Sequence, residues 1–118
     1  DGRTRDAIEL IEHVLVLIKH IHPHWWCLEN PVGRLPKMIG HIGKPVAYFD
    51  PCDYGDPYTK KTCLWGQFNM PPKNRVEPVK VCSQGSWVQA LGGKSERTKE
   101  LRSATPMGFA RAFFRSNP

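Results

Sequence analysis

Between Arg3 and Ile21 apolar side chains recur at positions 7, 11, 14, 18 and 21, flanked by others at 8, 10, 15 and 17. This is the 3.6-residue period with an unusually wide stripe. It predicts an amino-terminal helix that packs on a sheet and is partly covered elsewhere as well. Thr4 or Asp6 suits its start, Lys19, His20 and His22 complement the dipole of its last turn, and Pro23 stops it. The pattern then changes. Trp25-Trp26-Cys27-Leu28 is an unbroken apolar run followed by Glu29-Asn30-Pro31. It predicts a fully buried strand, Trp25 to Pro31, that ends abruptly and places a carboxylate at the strand edge where open α/β sheets bind ligands.

Downstream, residues 32–40 read as a turn and a short helix closed by Gly40. Gly33 allows a close backbone approach, and Arg34 is carried just past the acidic tip as a candidate phosphate or carboxylate contact. Lys44 to Phe49 predicts a second strand, Asp50 to Thr59 a turn-rich acidic loop, and Lys60 to Gly66 a third strand. Strand, loop and strand suggest a hairpin at the sheet edge, with Lys60 and Thr62 on one face and Lys61 on the other. Residues 67–95 hold Pro71, Pro72, Pro78, Gly85, Gly92 and Gly93 with little periodicity, and read as an irregular excursion with a short strand at Val79 to Val81 and Trp87 as its large anchor. A closing helix is predicted over Pro106 to Arg115, with Thr105 as N-cap and an apolar stripe of Met107, Phe109, Ala110, Phe113 and Phe114. The pieces give an α/β domain spanning 1–118: a helix-plus-sheet core over 1–66, the excursion over 67–95 and a carboxyl-terminal helical segment over 96–118, the small mixed sheet lying between the two terminal helices.

With 118 residues, 40% of them hydrophobic, the chain can bury one modest core. No run of about 18 apolar residues is present, so no membrane span is expected. The charged start, Asp1-Gly2-Arg3-Thr4-Arg5, lacks an apolar signal region, and a cytoplasmic setting is the expectation. Cys27, Cys52, Cys63 and Cys82 are expected to be reduced, because the chain is not small, loop-rich and secreted-looking and two of the four sit inside apparent strands, and their intervals of 25, 11 and 19 positions fit no common zinc pattern. His20, His22 and His24 straddle a helix end and Pro23, which spoils a shared metal-binding face. A formal charge of +6, with Arg97, Lys99, Arg102, Arg111 and Arg115 gathered late in the chain and Asp50, Asp53 and Asp56 mid-chain, favours a basic face and a polyanionic partner such as DNA. Half a parallel sheet would also expose an apolar edge, which predicts a homodimer or domain swap.

Two stretches carry a family resemblance: Trp26-Cys27-Leu28-Glu29-Asn30-Pro31, and Pro51-Cys52-Asp53-Tyr54-Gly55-Asp56-Pro57-Tyr58-Thr59-Lys60-Lys61-Thr62 running into Cys63-Leu64-Trp65-Gly66. In order and spacing they resemble the carboxyl-terminal half of the catalytic domain of DNA cytosine-5 methyltransferases, in particular phage-type DNA methylases. In that family a strand ends in Glu-Asn-Val or a variant, and an Asn-Ala-x-x-Tyr-Gly-Val-Pro-Gln-x-Arg-x-Arg stretch follows. Here Tyr58 stands for the family glutamine, and Lys60 and Thr62 for its two arginines, so the bidentate arginine contacts are missing. The segment from Arg97 to Asn117 resembles the closing helix, with Ser103-Ala104-Thr105 in place of a Gly-Asn pair. The resemblance implies a partial Rossmann-like methyltransferase fold. It makes Glu29 the acid that holds the edge of a flipped cytosine, and Asn30, Pro31, Arg34, Tyr58, Lys60, Lys61 and Thr62 base or DNA contacts. The complete family enzyme also uses S-adenosylmethionine and a Pro-Cys nucleophile, both upstream of the Glu-Asn pair. This chain has only some two dozen residues before Glu29, so neither fits, and Pro51-Cys52 sits in the wrong part of the pattern to replace the nucleophile. The implied function is a fragment, split subunit or degenerate form, without cofactor by itself and inactive without a complementary methyltransferase half. The alternative is a non-enzymatic basic module for DNA or protein binding on the same fold.

Overall fold

The computed structural model describes residues 2–31, 35–82, 85–86 and 104–118. Helix α1 spans Gly2–Ile21. It ends where the His22 amide donates to the Ile18 carbonyl at 3.0 Å and His22 itself turns left-handed at φ 52°, with Pro23 next to forbid another turn. The wide apolar stripe resolves into two lines. Ile8, Ile11 and Leu15 pack on the core, while Leu10, Val14, Leu17 and Ile21 are exposed, Leu10 by 65% and Ile21 by 61%.

Three strands form the main sheet: β1 (Trp26–Pro31), β2 (Ala47–Phe49) and β3 (Thr62–Gln67), in the order β1-β3-β2. Both pairings are antiparallel, Leu28 opposite Trp65 and Glu29 opposite Leu64 on one side, Tyr48 opposite Cys63 on the other. The architecture is thus mixed α/β, with a small antiparallel sheet and helices at both ends. The parallel pairing expected from the sequence does not occur among the described strands. The β2–β3 hairpin does lie at an edge of this sheet, through β2, while β1 takes the other side of β3 and makes it the central strand.

This order also moves the buried strand. In β3 the run from Thr62 to Trp65 is at most 5% exposed, whereas Trp26 to Asn30 of β1 are only half-buried. An apolar run cannot distinguish a central strand from an edge one, and β1 has a neighbour on one side only. Gly66 holds the β1–β3 rung at φ 139°, and a Cβ there would run into the Trp26 carbonyl.

Side-chain alternation gives the sheet two apolar faces. Trp26, Leu28, Cys63 and Trp65 meet α1, the short helix α2 (Leu35–Met38), Ile39 and Ile42. Cys27, Ala47, Phe49 and Leu64 meet the 3-10 turn Pro51–Tyr54 and the closing helix α3 (Met107–Ser116). There the Phe49 and Phe109 rings stack at 4.0 Å, with Tyr54 edge-on to Phe49 and Phe113 beside Phe109. The buried stripe of α3 is Phe109, Ala112 and Phe113, not the broader one expected, since Met107 is 59% and Phe114 77% exposed.

Thr105 does not cap α3. Pro106 occupies that position without a side-chain bond, and Asp56 reaches across to accept the Gly108 amide at 2.8 Å. At the other end the Asn117 carboxamide accepts from the Asn69 amide at 2.7 Å and donates to the Asn69 carbonyl at 2.9 Å, reading both backbone groups as a neighbouring strand would. A separate pairing joins β4 (Lys80–Cys82) to β5 (Gly85–Ser86), one residue later than the short strand expected. Gly33, Arg34, Trp87, Arg97, Lys99 and Arg102 lie outside the described residues.

Candidate functional site

Glu29 sits near the carboxyl end of β1 on the face shared with Leu64 and Phe49. It is half-buried, and loss of water raises its carboxyl above the ordinary range, an effect that the positive charge of Lys60 partly offsets. Tyr58 faces the same carboxylate. Burial raises its phenol, and the negative charges of Asp56 and Glu29 push it further. A carboxyl, an ammonium and a phenol therefore converge where β1 meets the chain entering β3.

That entering chain is held by Asp50. One of its carboxylate oxygens accepts the Lys60 amide at 2.9 Å, and its side chain also accepts the Asp53 amide, while Asp53 accepts the Asp50 amide at 2.8 Å in return. This reciprocal capping box, with Pro51 in the first turn, makes a rigid corner of the loop read as merely turn-rich. The signal was available as Asp-Pro-x-Asp. The role of Asp50 in placing Lys60 was not, since it spans ten residues.

Alternation divides the other candidates. Asn30 lies opposite Cys63 on the α1 face, away from Glu29. Pro31 is paired opposite Thr62 at the end of the rung ladder. Thr62 is 2% exposed and its hydroxyl donates to the Lys60 carbonyl at 2.8 Å, so it fixes the backbone beside Lys60. Lys61 is exposed with its Nζ 5.1 Å from the Tyr48 ring centroid, on the side of the sheet opposite Glu29. The structure thus brings together Glu29, Tyr58 and Lys60, and separates Asn30 and Lys61 from them.

Among the described side chains no thiol is poised as a nucleophile. Cys52 is fully buried and its thiol is raised by that burial, with the Arg75 guanidinium 3.5 Å from Sγ only partly opposing it. Cys27 is pushed up to about 11 by burial and by the charge of Glu29, and burial raises Cys63 as well. Pro51-Cys52 is therefore a structural corner. Among the described residues no group of three His, Cys, Asp or Glu side chains could hold a metal ion, and no helix is long and apolar enough to cross a membrane.

Comparison with protein-family models, with curated proteins and with solved structures finds no match to this chain. A carboxyl that takes up a proton on meeting a ligand can donate through O–H and accept through C=O at once, which suits a planar ligand edge carrying one acceptor and one donor. The adjacent ammonium and phenol add a charge and a further hydroxyl.

Proposed function

We propose that this chain is the base-handling part of a DNA cytosine-5 methyltransferase-like protein, with Glu29 engaging the ring-nitrogen and amino edge of an extruded cytosine. The observation that carries the reading is the convergence of Glu29, Lys60 and Tyr58, with burial holding the carboxyl above its ordinary range. A flipped cytosine offers a ring acceptor and an amino donor, and a protonated carboxyl complements both. Lys60, placed by Asp50, supplies charge for the neighbouring phosphate, and Lys61 extends that charge around the corner.

The sheet is then the closing portion of a Rossmann-like methyltransferase fold. In favour of this, β1 and β2 share a direction through their common partner β3, and both faces carry helices. Methyl transfer itself requires S-adenosylmethionine and an activated cysteine. On this reading a complementary half supplies both, since Cys27, Cys52 and Cys63 are all held in their thiol form.

The test is affinity for a DNA duplex carrying one bulged cytosine, compared with the same duplex fully paired. Extrusion from a bulge costs less than from a pair, so the bulged duplex is expected to bind several-fold more tightly, and Glu29→Ala to erase the difference. Equal affinity of the native chain for the two duplexes refutes the reading.

A further inference from the structure

A concave feature lies between α3 and the segment that follows β3. It is an open groove of about 370 Å3 whose helical wall carries Arg111 and Arg115, and whose other wall is built from Tyr54, Pro72 and Asn74. Ser116 closes one end. The two arginines stand four residues apart, so their side chains rise from the same side of the helix on consecutive turns. Among the described residues neither guanidinium forms an ion pair.

Neither nearby acid forms an ion pair with them, although Asp56 keeps its own negative charge beside Gly108 at the groove. Asp53 is held by Lys73 at 3.5 Å and Arg75 at 3.2 Å, and Asp56 is committed to the Gly108 amide. The groove therefore keeps two positive charges with five-donor forks in a concave setting. Its opposite wall is fixed in advance. The Tyr54 hydroxyl donates to the Pro71 carbonyl at 2.9 Å, the Asn74 amide donates to the Asp53 carbonyl at 2.7 Å, and the Val76 amide to the Cys52 carbonyl at 2.8 Å. The Asn74 carboxamide and the Ser116 hydroxyl add neutral donors along the same surface.

We propose that this groove is a phosphate-binding cradle in which Arg111 and Arg115 clamp one phosphate group. Forked guanidinium donors match the tetrahedral oxygens of a phosphate, and two of them one turn apart can hold it from adjacent directions. The phosphate comes either from a nucleic-acid backbone or from a free phosphorylated molecule, and the chemistry of the cradle is the same for both. This site is separate from Glu29 and does not depend on the base-handling reading.

Three proteins settle it: the full chain, Arg111→Gln with Arg115→Gln, and a control with Lys37→Gln and Lys44→Gln, which removes equal charge elsewhere. In the first arm, affinity for a short DNA duplex is measured across salt concentrations. A backbone phosphate in the cradle predicts that the arginine pair lowers the slope of log affinity against log salt by about 1 to 2, and that the lysine control does not. In the second arm, inorganic phosphate is titrated against chloride at equal ionic strength. A free phosphate predicts saturable amide shifts at Asn74, Ala112 and Ser116 that the arginine pair abolishes. A positive result in either arm supports the cradle and names its source; negative results in both overturn it. Because Arg111 and Arg115 are exposed, both variants are expected to melt with the native chain. Loss of the bulged-cytosine preference with the cradle intact would bring down the proposed function alone.

Discussion

Replacing Asn117 is expected to unfasten α3 from the sheet layer. Its carboxamide is 3% exposed and makes three hydrogen bonds: it accepts from the Asn69 amide at 2.7 Å and donates to the Asn69 carbonyl at 2.9 Å and the Phe113 carbonyl at 3.1 Å. At about 1 kcal/mol net for each, Asn117→Ala should cost about 2–4 kcal/mol. Asn117→Asp is nearly isosteric and keeps the bond from the Asn69 amide, yet it turns a carboxylate oxygen toward two carbonyls. Its cost at neutral pH should exceed that of alanine. The sign of the pH effect follows. The folded environment disfavours the carboxylate, so the aspartate's pKa is raised on folding. The added penalty is fully present above the raised folded-state value, fades as pH falls through it, and is gone below the unfolded value of about 3.9. Urea unfolding followed by tryptophan fluorescence measures both, since Trp25 lies edge-on to Phe113 at 5.4 Å and reports on the docking of α3. The reasoning fails if Asn117→Ala lies within about 0.5 kcal/mol of the native chain, a margin typical of surface substitutions, or if Asn117→Asp matches it at pH 7.

Glu29 gives a second pH signature. Because burial raises its carboxyl, the folded state binds that proton more tightly than the unfolded one, and stability falls as pH rises from the ordinary carboxyl range through the raised value. Glu29→Gln should therefore be more stable than the native chain at pH 7 and equal to it near pH 4; a destabilised glutamine variant at pH 7 would contradict the burial argument. On α1, Ile11→Ala should cost about 2–4 kcal/mol, because Ile11 packs on the core, whereas Leu10→Glu with Leu17→Glu should cost under about 1 kcal/mol, because both side chains are more than half exposed. The same urea titration decides between the two lines, and comparable losses would mean that the outer line is covered.

Local signals made much of the element list legible. The 3.6 period marked α1, Pro23 marked its end, and Pro106 with the aromatic spacing marked α3 to within a residue or two. Strand order was not legible. Lys44–Phe49 and Lys60–Gly66 are neighbours in the chain and suggest a pair at an edge, but nothing local says that Trp26–Pro31 will take the other side of β3. The Trp25-Trp26-Cys27-Leu28 run looked more buried than Thr62 to Trp65 because aromatic bulk dominates a sequence window, while burial is decided by how many neighbours a strand has. At the site, alternation alone puts Lys60 and Lys61 on opposite sides. The two acids that shape the surroundings escaped notice because each acts at a distance, Asp50 on the Lys60 amide and Asp56 on the amino end of α3.

A ribbon upholstered on both surfaces can grow in one direction only. With α1 lying over one side and α3 over the other, a newcomer strand finds no room above or below β3; it has to join sideways, along the outer rim of β1 or β2. At β1 such a strand would come to rest alongside Glu29. Lateral extension of the sheet and completion of the carboxylate's surroundings would then be a single event.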